Sequence, residues 1–140
     1  MIFIKNIQLA TLANALGSYA LKGKASRGRT RLIRDMNDKY EDLKGDLKAL
    51  QEEHDVDPNV TIPEDKEEKE LYLAKVEEYN VEANALFEEE VYINVDEYKH
   101  LVAALYSELE EYNHELSGQD ALLYDTIMTL IEGDVEHEQN

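Results

Sequence analysis

Apolar side chains recur at alternating gaps of three and four along three stretches of this chain, and that spacing narrows its possible folds more than any other feature. In residues 27–54 the series is Ile33, Met36, Tyr40, Leu43, Leu47, Leu50 and His54. In 64–90 it is Tyr72, Val76, Tyr79, Ala83 and Leu86, and in 96–116 it is Tyr98, Val102, Leu105, Leu109, Tyr112 and Leu116. Such a row lies on one stripe of an α-helix and forms the seam of helices packed nearly parallel or antiparallel, as in a coiled coil. The spacing therefore predicts a mainly α-helical chain.

Punctuation between the stretches sets the topology. HDVDPNVTIP separates the first two helices and is rich in turn formers, so they fold back as a long antiparallel hairpin with arms of about 27 residues, roughly 40 Å each. Ser26 is placed to cap the first long helix. Thr61 with Glu64, and Pro63 between them, reads as a capping box for the second, and Asp96 reads as a cap for the third. Gly45, in mid-helix, costs about 1 kcal/mol relative to Ala.

The flanks are shorter. Residues 6–21 read as an apolar helix through Ile7, Leu9, Leu12, Ala13, Leu16, Tyr19 and Ala20, with Lys22 and Gly23 as its stop signals. MIFI at the start and VYINV at 91–95 are strand-like and able to pair as a two-stranded β-ribbon. Residues 119–132 read as a last helix through Leu123, Ile127, Leu130 and Ile131, capped by Ser117 or Asp120, and the acidic DVEHEQN after it reads as frayed. The 140 residues then form one domain: a strand and short helix over 1–24, the helical hairpin over 26–90, a strand and further helices over 91–133, and a tail over 134–140.

Charge is distributed as unevenly as hydrophobicity. Residues 1–34 carry seven Lys/Arg and no acid, whereas 35–140 carry seven Lys/Arg against 32 Asp/Glu, so a net −18 chain keeps a +7 end. Most of the surface would repel nucleic acid or an anionic membrane, and direct nucleic-acid binding is not expected of it. The apolar run at 7–21 is too short and too interrupted to span a bilayer, and the start MIFIKN lacks the pattern of a secretory signal. The absence of Cys removes disulfide and thiolate chemistry and suits a reducing compartment.

The basic island is Lys22, Lys24, Arg27, Arg29, Arg31 and Arg34. Arginines at a helix start oppose its dipole, at about 0.3–1 kcal/mol each at low salt, so an anionic group is expected opposite them. Arg27, Arg31 and Arg34 share one face, beside N–H groups able to take a phosphate or carboxylate. The plainer reading is that the island docks on the protein's own acidic helices or on those of a second copy in a homo-oligomer. The acid-rich runs EDKEEKE and FEEEVYI supply a second surface, with Glu64, Glu67, Glu68, Glu78, Glu82 and Glu89 as its candidate members. Carboxylates one helical turn apart approximate the spacing of phosphates along a strand, so an acidic helix of this kind suits the basic groove of a nuclease or DNA-binding protein.

Chemistry beyond binding finds little support. Glu97 with His100 and Glu111 with His114 have the spacing used in di-iron bundles, but on a single helix they stand about 21 Å apart, so no metal site and no cofactor is expected. No phosphate loop, nucleophile elbow or HExxH run is present, and the four Ser lack an accompanying His and acid pattern. A non-catalytic protein is expected.

The run LKGKASRGRTRLI, the long acidic Leu-rich helix behind it, EEEVYI, and LSGQDALLYD near the end together resemble an uncharacterised family of small acidic proteins encoded by tailed phages and prophages of Gram-positive bacteria. The likeness spans nearly the whole chain, with LKGKASRGRT its most specific part, and transfers no catalytic residue. It implies a gene among late tail and lysis functions, an accessory role through binding another phage or host protein, and a place in the cytoplasm of the bacterial host or on the virion. An inhibitor of a host defence nuclease, of the anti-restriction or anti-CRISPR type, is the alternative.

Overall fold

The computed structural model describes residues 1–139, and side chains as far as residue 135. Strand β1 (Ile2–Lys5) passes through a 3₁₀ turn at Asn6–Gln8 into α1 (Leu9–Ser18). Then come α2 (Gly23–Glu53), α3 (Lys66–Glu88), β2 (Glu90–Ile93), a second 3₁₀ turn at Asp96–Tyr98, α4 (Lys99–Glu110) and α5 (Gly118–Gln139). The expected ribbon is present: β1 and β2 pair antiparallel with Ile2 opposite Ile93 and Lys5 opposite Glu90. Alternation in β1 buries Ile2 and Ile4 and leaves Phe3 and Lys5 outside.

The long hairpin is present as well, but its two halves have different partners. The first half of α2 packs into a body made of the ribbon, α1, α4 and α5, where Leu32 and Met36 join Leu12, Leu16, Leu101, Leu105, Leu109, Ile127 and Ile131 in one core. The second half pairs with α3 in an arm projecting from that body. Lys75 meets Asp55 and Tyr79 meets Gln51, so the helices run antiparallel. Its seam is the predicted one, with Leu43 and Ala83 buried and Tyr72, Val76, Tyr79, Leu86, Leu47 and Leu50 half-buried, and Ala83 is the only fully buried residue of α3. A helix so sparsely packed opens locally well below the global unfolding free energy.

Several sequence-based boundaries are corrected. The first long helix begins at Gly23, not after Ser26. Gly23 adopts φ +62°, a left-handed conformation that side chains rarely tolerate, and Ser26 does not cap, its hydroxyl accepting from Arg29 instead. Gly23 thus opens a helix rather than closing one. Helix α1 stops earlier, at Ser18, because Tyr19 turns extended to bury its ring. Ile7, expected inside, is 56% exposed, since the tighter 3₁₀ turn there rotates it outward.

The Thr61–Glu64 box does not form. Asp65 caps α3 by accepting the Glu68 N–H at 3.2 Å, with Glu67 and Glu68 in the first turn where the dipole favours acids. Asp96 does not cap either: it sits in the 3₁₀ turn before α4, which ends at Glu110, so Tyr112 and Leu116 reach the core from the following turn rather than from the helix. The final helix does not stop at 132 but runs through Gln139 with Asp134 and Val135 buried, which overturns the frayed tail over its first two residues. The chain's amino group pairs with the Asp134 carboxylate there. The side chains of the remaining tail residues lie outside the described set.

Candidate functional site

Lys22 immediately precedes α2 and the rest of the basic island occupies its first three turns, where a close helix crossing fixes the orientation. A Cβ on Gly28 would lie 2.3 Å from the Leu101 carbonyl oxygen, so α2 and α4 touch backbone to backbone at that point and only glycine fits. Arg27, Arg31 and Arg34 follow one flank of α2 beside this contact, as 100° per residue requires.

The six cations divide into two groups. Arg29 is half-buried and donates to the Tyr19 carbonyl and, at 3.2 Å, to the Ser26 hydroxyl, tying the end of α1 to the start of α2. Arg31 lies with its guanidinium carbon 5.0 Å from the centre of the Tyr98 ring, whose hydroxyl donates to Asp35. Burial first, and then that hydrogen bond, push the Tyr98 phenol well above its ordinary value, so it stays neutral and available as a donor. These two arginines are structural.

Lys22, Lys24, Arg27 and Arg34 are exposed, and among the described residues none forms an ion pair with a carboxylate. The protein's own acidic helices do not neutralise them. A shallow groove beside them is lined by Ser26, Arg27, Thr30, Arg31 and Leu101.

The acidic surface also divides. Glu78 and Glu82 turn toward the end of α2, where His54 receives both: its Nε2 is 2.8 Å from Glu82 and its Nδ1 3.9 Å from Glu78. Glu64, Glu67, Glu68 and Glu89 are exposed and, among the described residues, free of ion pairs. The sequence marked His54 as a seam residue without seeing that two α3 carboxylates would clasp it. Its separation of 28 residues from Glu82 becomes a contact only once the hairpin register is known.

Glu53, His54 and Glu82 bring one ligand atom each within 4.8 Å of one another, the kind of cluster that holds a metal ion. The His54–Glu82 hydrogen bond already accounts for that proximity. The two Glu-x-x-His pairs form no such cluster among the described residues, and the second lies beyond the end of α4.

The clasp carries a pH dependence. The hydrogen bond that the protonated His54 ring donates to the Glu82 carboxylate raises the His54 pKa above its ordinary 6.5, against some opposition from burial and with smaller help from the Glu82, Glu53 and Glu78 charges. A raised folded-state value means that the contribution is fully present below about 6.5 and is lost as pH rises through the folded-state pKa. Amide exchange in α3, corrected for intrinsic chemistry, should therefore show greater protection near pH 6 than near pH 8. His54→Gln should flatten that difference, and an unchanged pH profile in the variant would remove the clasp as its cause.

Sequence reading also missed an aromatic cluster beside the island. Tyr19 meets Tyr112 at 5.3 Å and Tyr124 at 6.2 Å between ring centres, and burial drives the Tyr19 phenol up to about 12. It welds the end of α1 to the turn after α4 and to α5.

Fold and surfaces define a small, acidic, mainly helical protein: a packed body with a cationic face and a projecting carboxylate-rich arm. No described helix is long and apolar enough to cross a membrane. The chain belongs to the family of proteins of unknown function DUF1617, whose model matches residues 1–138. No curated protein and no solved structure matches it.

Proposed function

We propose that this is a phage- or prophage-encoded accessory protein that works by binding another protein in the bacterial host cytoplasm or on the virion, without catalysis. One observation carries this reading. Four exposed cations stand at one end of a net −18 chain with no carboxylate partner among the described residues, although acids outnumber bases more than two to one. Cations gathered at a helix start oppose its dipole, so a cluster left uncompensated there supports an external anionic surface.

Affinity capture from host cells tests it. The tagged wild type should recover a defined partner, and Lys22→Gln/Lys24→Gln/Arg27→Gln/Arg34→Gln should lose it with its circular dichroism spectrum unchanged. Arg29 and Arg31 are left intact because they hold the body together. Equal recovery by both proteins would end the reading.

A second reading, the nucleic-acid mimic that blocks a defence nuclease, draws support from the free carboxylates Glu64, Glu67, Glu68 and Glu89 on the arm. It expects the same experiment to yield a nuclease or DNA-binding protein that survives neutralisation of the island and is lost when those four are changed to Gln.

A further inference from the structure

We infer that the partner of the cationic face is the outer end of the acidic arm of a second copy of this chain, in an antiparallel pair with two such contacts; this rests on reading the island as a docking surface. Three observations lead there. The first is complementarity. The face offers Lys22, Lys24, Arg27 and Arg34, and the outer arm offers Glu64, Glu67 and Glu68, all exposed and all without ion pairs among the described residues; Lys66 and Lys69 lie among those acids, but residues 64–70 stay net negative, with five acids to two lysines.

The second is distance. Both surfaces are attached to α2, the face at its start and the arm's outer end beyond its finish. Arg27 and Glu53 are 26 residues apart on one helix, about 39 Å at 1.5 Å per residue. A single chain cannot fold its arm onto its own face without breaking that rod. Two chains laid antiparallel bring each face to the outer end of the other's arm, and the two-fold operation closes the assembly with each face used once.

The third is apolar content at the same place. Val60, Ile62 and Leu71 are each at least half exposed at the outer end of the arm. A docked arm would remove those side chains from water, which ion pairs alone do not achieve. Having two contacts per pair adds to this, because the second forms within an already assembled complex.

Two net-negative chains repel at long range. At about 0.15 M salt the screening length is about 8 Å, so distant charges are muted while contact pairs persist, and at about 1 M it is about 3 Å and the contact pairs weaken too. Sedimentation velocity should show the 16.1 kDa chain at twice its mass near 0.15 M salt, returning to monomer near 1 M.

The decisive test exchanges charges. Reversing the face (Lys24→Glu, Arg27→Glu, Arg34→Glu) should weaken pairing at least tenfold, as should reversing the arm (Glu64→Lys, Glu67→Lys, Glu68→Lys). An equimolar mixture of the two variants should restore it, since each then presents what the other lacks. If a reversed variant proves misfolded by circular dichroism, the corresponding Gln variants should still weaken pairing and lose its salt dependence. A wild type that stays monomeric at every salt concentration, or a mixture that fails to pair, overturns the inference. A wild-type monomer whose face-to-Gln variant still loses its captured partner leaves the proposed function standing. A wild-type dimer whose face-to-Gln variant keeps that partner does the reverse.

Discussion

Gly28→Ala should lower stability by about 2–3 kcal/mol, a fall of roughly 10 °C in melting temperature for a chain of this size. The added methyl carbon would sit 2.3 Å from the Leu101 carbonyl oxygen and 2.8 Å from its carbonyl carbon, both backbone atoms that no rotamer change can move. Helices α2 and α4 must therefore separate, which loosens the packing around Leu32 and Leu105 on either side. Alanine's better helix propensity returns only about 1 kcal/mol. Gly45 in the same helix has nothing within 4 Å of its missing Cβ, so Gly45→Ala should stabilise by about 1 kcal/mol. Paired thermal melts decide the matter, and a Gly28→Ala protein at least as stable as wild type would show that the crossing is not that close.

A larger loss is expected from Leu105→Ala. Leu105 is completely buried in α4 within the shared core, and removing three carbons there leaves a cavity that rigid neighbours only partly fill, at about 2–5 kcal/mol. Against a total of about 5–15 kcal/mol for a domain, that is a large share. Val81→Ala, on the exposed face of the arm, should stay within about 0.5 kcal/mol. Urea unfolding measures both, and near-equal midpoints would mean that the body is not where stability resides.

These contrasts mark what could be read from residues alone. The seam on α2 was visible as a period, because burial on one stripe leaves a repeat of three and four. The repeat does not say that Met36 faces the body while Leu50 faces the arm, since both satisfy the same stripe. Cap positions were ambiguous for a chemical reason: Thr61 and Asp65 are both good caps, and the choice between them depends on where the connector finishes turning. Ile127, Ile131 and Val135 continue one another's spacing, but the acids around Val135 concealed that continuation. The island was plain from composition. Its division into structural and free members was not, because it depends on where the Tyr19 carbonyl and the Tyr98 ring come to rest.

The pairing of β1 with β2 also bears on how the chain can reach this state. Ile2 must find Ile93, 91 positions away, whereas α2 and α3 meet across a connector of about a dozen residues. By the logarithmic law for loop closure, joining the ribbon directly costs roughly 2 kcal/mol more entropy than closing the hairpin. Once the hairpin has formed, the end of α3 lies beside the middle of α2, and Asn6 can bind the Leu86 and Glu89 carbonyls at 2.9 Å each. Strand β1 is thus seated after the hairpin has closed. Until β2 is in place Ile2 and Ile4 have no strand to pair with, so two side chains that end wholly buried wait on a partner far along the chain.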